Sequence, residues 1–292
     1  MATIKDFINF VKFEHSIFAL PFIYAGMLIA MRAENFDFDA LKFFLITIAA
    51  VSARSTAIAM NRIIDANIDA LNLRTADRHI PSGIIKTEEA HSFVIVSGIF
   101  FFASAYFLNF LCFILAPIPL LMFIIYTYLK RHTYLSHLFL GLTLGIGVGG
   151  GYVAITGNFE NFVYPLILCF FVMFWVAGFD IIYAIQDVWF DRMQNLHSIP
   201  AKFGINKSLR ISLLFHLTGA GILLLFLLIA YPLFSSPVFF CLGIIIIASL
   251  LIYEHKICRS DVSEAAIQKA FWTTNGIVGV CFLVFLVLGL YF

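Results

Sequence analysis

The feature that most limits what this chain can become is the length of its uncharged runs. Seventeen residues without a charge separate Glu14 from Arg32, 40 separate Glu89 from Lys130, and 28 separate Arg131 from Glu160. A further 19 lie between Glu160 and Asp180 and 43 between Arg210 and Glu254. Phe43 to Met60 is interrupted only by Arg54, and Ala270 to Phe292 adds 23 more. A bilayer core is about 30 Å thick and needs about 20 apolar residues in a spanning helix. The 40- and 43-residue runs therefore hold two helices each, turning near Asn109 to Pro119 and Tyr231 to Pro237. The runs predict an all-α, polytopic membrane protein with nine transmembrane helices. Only 12% of the residues are charged, about half the share of a soluble domain. With a formal net charge of +1, the chain also lacks the basic surface that nucleic acid demands. A soluble enzyme, a disordered chain and a nucleic-acid binder are excluded.

The 18 Lys and Arg residues orient the spans. Fifteen fall in the N-terminal segment and the loops after helices 2, 4, 6 and 8, two (Arg32 and Lys42) fall on the other side, and Arg54 lies within a span. The positive-inside rule places the N-terminus and the even-numbered loops in the cytoplasm, as expected of a multi-pass protein of the cell (inner) membrane. Asp6 and Glu14 interrupt the N-terminal stretch, so no cleavable signal peptide is expected and the first helix is retained. Cys112, Cys169, Cys241 and Cys281 sit in apolar spans and Cys258 in a cytoplasmic loop. No C-x-x-C pair exists, which argues against disulfides and zinc.

Two loops, roughly 61–90 and 185–209, are long and polar and follow helices 2 and 6. Each opens on carboxylates four residues apart, Asp65 and Asp69 in the first, Asp187 and Asp191 in the second. Each continues through a D…N-L…I-P…G skeleton. This pattern suggests two four-helix pseudo-repeats, about 10–130 and 134–253, followed by a last helix at 270–291, all forming one integral-membrane domain. Internal repeats of this kind commonly place a site at their interface.

The sharpest local signal is N-R-I-I-D-A-N-I-D, with Asn61, Asp65 and Asp69 at spacing four plus four. On a helix these side chains share one face, and Arg54 lies two turns deeper on that face. A shuffled chain of this composition would hold roughly 0.013 such matches. Paired carboxylates suit Mg²⁺, which takes one or two of them, keeps some waters, and completes its shell with phosphate oxygens. Arg62, Arg74, Arg78, Lys130 and Arg131, all in loops expected on the same cytoplasmic side, would take the remaining phosphate charge. The site lies at a membrane surface, so the residues point to a lipid diphosphate held with Mg²⁺.

N-x-x-x-D-x-x-x-D followed by R-T-x-x-R-x-x-P-S-G (Arg74 to Gly83) resembles the first signature of the UbiA superfamily of intramembrane prenyltransferases. F-D-I-I-Y-A-I-Q-D-V-W-F-D (Phe179 to Asp191) with H-S-I-P-A-K-F-G (His197 to Gly204) is similar to its second. Y-T-Y-L-K-R-H-T (Tyr126 to Thr133) resembles the loop after its fourth helix, and Asn275 falls where its last helix usually carries an asparagine. The resemblance implies nine helices around a central cavity opening near the cytoplasmic face. It also implies Mg²⁺ as cofactor and transfer of a polyprenyl group from its diphosphate to an acceptor. Carried over residue by residue, Asp65, Asp69, Asp187 and Asp191 would ligate the metal and Asn61 would help hold the diphosphate. Arg74, Lys130 and Arg131 would hold phosphate oxygens, and Arg54 and Asp180 would line the pocket. Loss of diphosphate leaves an allylic cation that aromatic faces shield. An electron-rich aromatic acceptor attacks through carbon, with Asp191 as the expected base and Tyr183 as the orienting group.

The stretch H-S-I-F-A-L-P-F-I-Y-A-G-M (His15 to Met27) lacks the tryptophans frequent in 4-hydroxybenzoate members. It looks more like the branch associated with bacterial quinone synthesis, for ubiquinone or menaquinone, where naphthoate acceptors occur. Haem or glycerophosphate acceptors rank behind an aromatic acid. A transporter using the acidic cleft for a cation is the reading from another class, although transporters favour midplane sites on broken helices. No protein partner is implied. The glycine-rich stretch Gly141 to Gly151 has no preceding strand and reads as close helix packing, and His15 and His137 sit at helix mouths within reach of an acceptor.

Overall fold

The computed structural model describes residues 2–12 and 19–292. In hydrocarbon every backbone amide must be satisfied within the segment, so helices are the expected solution, and among the described residues helices joined by turns and loops are the regular structure, with no strand. In chain order the helices are α1 (Ile4–Phe10), α2 (Leu20–Ala33), α3 (Ala40–Ile64), α4 (Ala66–Leu71) and α5 (Thr87–Leu108). Next come α6 (Phe110–Leu115), α7 (Pro117–Leu129), α8 (Ser136–Thr156), α9 (Val163–Ala184) and α10 (Val188–Met193). The C-terminal set is α11 (Ile199–Phe203), α12 (Ile205–Ile229), α13 (Pro237–Ser260), α14 (Glu264–Lys269) and α15 (Asn275–Tyr291).

Among the described residues, eight helical segments are long and apolar enough to cross a membrane, and α2 is a shorter apolar helix. The run between Glu14 and Arg32 is expected to hold the first span; α2, 14 residues long, covers that run from Leu20 onward and ends at Ala33, while Phe13 to Phe18, including His15, lie outside the described residues. The double-length runs divide near the expected turns. Asn109 (φ −172°) separates α5 from α6 and caps it, accepting from the Cys112 amide at 2.9 Å. A short 3₁₀ turn, Tyr231–Leu233, separates α12 from α13. Cys258 differs from expectation. It lies on α13, fully buried, because that helix runs on to Ser260 before an Asp261–Ser263 turn ends it. The five cysteines are free thiols.

The chain forms two compact units, Met1–Ser16 with Asp39–Tyr128, and Ile17–Phe38 with Leu129–Phe292. In the first, α3 packs along α5. Asp39 caps α3, accepting from the Leu41 and Lys42 amides at 2.8 and 3.2 Å. Deeper in the pair, Thr56 Oγ1 donates to Ser97 Oγ at 2.8 Å, a buried interhelical bond of the kind that ties membrane helices together. Phe10, Ala59, Ile85 and Ala90 form a buried cluster that seats α1.

In the second unit α9 carries α8 on one side and α12 on another, α2 lies on α8, and α15 packs on α13. Lipid supplies no hydrophobic drive between helices, so close backbone approach decides the packing. The glycine-rich stretch provides it. A β-carbon at Gly141 or Gly145 would strike the Met173 or Cys169 carbonyl of α9, and one at Gly151 would strike the Ile23 carbonyl of α2. Gly26 of α2 meets the Val148 carbonyl in return. Between these helices Phe22, Phe171, Trp175 and Phe282 pack ring on ring, Phe22 lying 4.9 Å from both Trp175 and Phe282.

Candidate functional site

In the first unit the Asn61–Asp65–Asp69 series does not lie on one unbroken helix, as its spacing predicted. Asp65 adopts φ −95° and ψ 2°, ending α3, and α4 restarts at Ala66. The register survives the break: the Asp65 amide donates to the Asn61 carbonyl at 2.9 Å and the Asp69 amide to the Asp65 carbonyl at 2.8 Å. The near-zero ψ belongs to the bridge region that active-site residues often occupy. The Asp65 side chain is drawn to the helix preceding it, where Asn61 Nδ2 donates to Asp65 Oδ2 at 3.1 Å and to Thr127 Oγ1 at 3.2 Å. Asp65 is 1% exposed and Asp69 5%, so both carboxylates are held out of bulk solvent.

Arg78 Nη1 lies 2.7 Å from both oxygens of Asp69, and Thr75 Oγ1 donates to the Asp69 carbonyl at 2.9 Å. The loop following α4 is thus wound back onto the second aspartate. Arg74 lies on the same loop, its amide on Asn72 Oδ1. Arg54 Nη1 donates to the Lys12 carbonyl at 3.2 Å, joining α3 to the end of α1. Burial, followed by the nearby Arg62 cation, holds the His79 imidazole below its ordinary pKa. The sequence reading missed two partners. Thr127 stood within the Tyr126–Thr133 stretch without a role of its own, and Arg78 was only one of several cations.

The buried Asp69–Arg78 pair gives a direct test. Arg78→Ala is expected to lower stability by about 2 kcal/mol, because it leaves a buried carboxylate without its cation. Adding Asp69→Asn should recover most of that loss, a non-additivity that thermal unfolding of the two single variants and the double variant in detergent would measure.

In the second unit the helix end repeats the design. A 3₁₀ turn, Ile185–Asp187, follows α9, and Asp187 adopts φ −101° and ψ 6° before α10 begins. The first aspartate of each pair is therefore the residue at which its helix breaks, with nearly equal dihedral angles. Asp191 lies on α10, and its Oδ2 accepts from Ser198 Oγ at 2.6 Å. Ser198 also caps α11, accepting from the Ala201 amide at 3.2 Å. Asp180 is bonded through Oδ2 to His137 Nδ1 at 2.7 Å. The Ile199 amide donates to His137 Nε2 at 3.2 Å, so that nitrogen is the acceptor and Nδ1 carries the proton toward Asp180. Both ring nitrogens of His137 are thereby engaged in orienting Asp180.

Ser198 and Ile199, adjacent in sequence, thus tie Asp191 and Asp180 to one loop. That loop is held to the α7–α8 turn where the His197 amide donates to the Lys130 carbonyl at 2.7 Å, which also places Arg131 beside it in sequence. The ring of Tyr183 lies 4.5 Å from that of Phe271. Among the described residues no three His, Cys, Asp or Glu side chains group closely enough to hold an ion by themselves.

Among the described residues, eight helices long and apolar enough to cross a membrane, with an aspartate pair at each of two helix breaks and Arg78 wound back onto the first pair, define a multi-pass membrane protein with paired acidic helix ends. Residues 19–276 match the UbiA prenyltransferase family. The chain belongs to that family, and it is a transferase of prenyl groups. It is 28% identical over 249 residues to 4-hydroxybenzoate octaprenyltransferase of Aliivibrio fischeri, covering 85% of this chain and 83% of that protein. Its fold is similar to the apo structure of a UbiA homolog from Aeropyrum pernix, with a TM-score of 0.83, 31% identity, and 94% and 97% of the two chains covered. A UbiA homolog from Archaeoglobus fulgidus solved with DMAPP and Mg²⁺ shares the fold at a TM-score of 0.73 and 16% identity, over 96% and 97% of the chains.

Proposed function

We propose that this chain transfers a polyprenyl group from polyprenyl diphosphate to a ring carbon of an aromatic acid, with Mg²⁺ as cofactor, in quinone biosynthesis. The observation that carries the reading is the pair of acidic helix ends, each broken at its first aspartate and each with a buried or half-buried second one. Carboxylate oxygens are the donors Mg²⁺ prefers, and the ion completes its shell with water and phosphate oxygens rather than a third side chain. Asp65, Asp69, Asp187 and Asp191 would hold it. When bound, the metal neutralises charge on the diphosphate.

The chain's own side chains do the rest. Asn61 holds Asp65 in place and reaches the diphosphate, while Arg74, Lys130 and Arg131 take phosphate oxygens. Arg54 and Asp180 bind substrate, Asp180 being oriented by His137. The Ser198 hydroxyl holds Asp191 through one oxygen and leaves the other to accept the ring proton of the acceptor, with Tyr183 orienting that acceptor. In the first unit an apolar groove of about 750 Å³ runs past Thr56, Met60, Gly98 and Phe102, a surface suited to an isoprenoid tail.

The octaprenyltransferase relative supports a 4-hydroxybenzoate-like acceptor and a long donor, and the diphosphate in the Archaeoglobus homolog supports the donor class. The missing first-helix tryptophans keep a naphthoate of a menaquinone route in the test. In this reading α2 is the ninth span, and the chain is built of two pseudo-repeats and a last helix. The N-terminus and both acidic loops face the cytoplasm of the inner membrane.

The test uses membranes carrying the protein, labelled polyprenyl diphosphate, Mg²⁺, and either 4-hydroxybenzoate or 1,4-dihydroxy-6-naphthoate. Prenylated product from one acceptor, abolished by EDTA, is the expected result and identifies the acceptor. Mg²⁺-dependent donor binding without product would point to a haem or glycerophosphate acceptor. Cation uptake into vesicles without diphosphate release would mark a transporter and overturn the reading.

A further inference from the structure

Four polar side chains outside the transfer site lie buried in the membrane-crossing part of the second unit. His216 is on α12, Glu254 and His255 are on α13, and Asn275 opens α15; their exposures are 2%, 0%, 3% and 0%. Trp175 of α9 completes the group. Trp175 Nε1 donates to Asn275 Oδ1 at 3.0 Å, and Asn275 Nδ2 donates to Glu254 Oε1 at 3.0 Å and to the Ala270 carbonyl at 3.2 Å. His216 Nε2 lies 3.3 Å from the Trp175 carbonyl, which can only accept, so Nε2 bears the proton. A neutral His216 then accepts through Nδ1 from His255 Nε2 at 3.0 Å. Glu254 Oε2 and His255 Nδ1 have no hydrogen-bond partner among the described residues. Ionisable groups at membrane depth are costly and mark function by default, and this group contributes nothing to the diphosphate site directly.

Its connection to that site runs through an irregular turn. Ala270–Thr274 form a single π turn between α14 and α15, and Asn275 closes it. Such turns are rare and frequent at functional sites. From this one Phe271 reaches out, its ring 4.5 Å from Tyr183 and 5.4 Å from Phe179. Just before it, Gln268 Nε2 donates to Gln186 Oε1 at 3.2 Å, while Trp272 Nε1 donates to Gln268 Oε1 at 2.9 Å. Gln186 in turn donates to the Tyr183 carbonyl at 3.0 Å. The π turn, through Phe271, and the end of α14, through Gln268, therefore hold Tyr183 and Gln186, the latter adjacent to Asp187, at the point where α9 breaks.

We propose that Glu254 is a positioning residue for prenyl transfer: through Asn275 it anchors the π turn, whose Phe271, together with Gln268 at the end of α14 just before it, sets Tyr183 and the Asp187 helix end. The proposal rests on Tyr183 and Asp187 belonging to the transfer site. Removing Glu254 Oε1 leaves one N–H of the Asn275 amide without an acceptor and loosens its hold on the turn, so the loss falls on the chemical step rather than on donor capture.

The experiment measures kcat and KM per folded molecule, in detergent, with Mg²⁺, polyprenyl diphosphate and the acceptor that wild type accepts. Glu254→Leu is expected to lower kcat about tenfold or more, as small misplacements do, with the donor KM within about twofold. Glu254→Gln, which retains the acceptor oxygen, should recover wild-type kcat to within about twofold. Phe271→Leu should show the same kcat loss, and the double variant should be little worse than either single one, because both act through one turn. Should Glu254→Leu fail to fold, Asn275→Ser takes its place in the same cycle. An unchanged kcat per folded molecule, or losses that multiply in the double variant, would overturn the proposal. Absence of transfer by wild type itself would instead remove the underlying reading.

Discussion

Asp65→Asn is expected to reduce prenyl transfer by about two to three orders of magnitude, the scale seen when a single preorganised group that stabilises developing charge is removed. The substitution is nearly isosteric, and its oxygen still accepts from Asn61 Nδ2, now 3.1 Å from Asp65 Oδ2. What disappears is the negative charge, at a position only 1% exposed. The side chain keeps its shape, so the variant should remain folded, and its melting curve reports what the buried charge itself contributes to stability. Turnover, Mg²⁺-dependent donor binding and the melting curve, measured on one preparation, separate these effects. Retention of more than about a tenth of wild-type turnover would contradict a metal-ligating role for Asp65.

Gly151→Ala and Gly150→Ala, the same substitution at neighbouring positions of α8, should differ by several kcal/mol. At Gly151 the added carbon meets the Ile23 carbonyl, backbone that cannot yield, whereas at Gly150 it meets open space. The first is expected to cost about 3 kcal/mol, the upper range for overpacking, and to lower the yield of folded protein sharply. The second should be neutral or stabilising by up to about 1 kcal/mol, because alanine favours helix over glycine. Yield after extraction and thermal unfolding of the two variants would decide it; equal behaviour would mean that α2 and α8 do not approach as closely as described.

Both experiments turn on how much was legible beforehand. The motif Asn61–Asp65–Asp69 and its counterpart Asp187–Asp191 stand out because acidic residues are rare in so apolar a chain. Their family likeness made the chemistry readable. Helix positions followed from the uncharged runs to within about two turns, since a charge in hydrocarbon is costly wherever it falls. The break at Asp65 was not readable, because spacing of four is equally satisfied by a continuous helix and by two helices joined through one bridge-region residue. Cys258 was assigned to a loop on the strength of neighbouring charges, Lys256 and Arg259, which α13 carries on its exposed side while burying the thiol.

The sequence by itself determined that the chain crosses the membrane repeatedly, which helices bear the carboxylates, and to which family it belongs. These depend on local quantities: the free energy of burying each residue type and the periodicity of a helix. Only the tertiary structure decided which partner each charged group takes. Arg78 closes on Asp69, His137 orients Asp180, and Ser198 holds Asp191. It alone separates Gly151 from Gly150 and joins Glu254 to Tyr183 through a π turn. Those outcomes rest on distances between residues far apart in the chain, set by how closely helix backbones approach, and no spacing along the sequence encodes them.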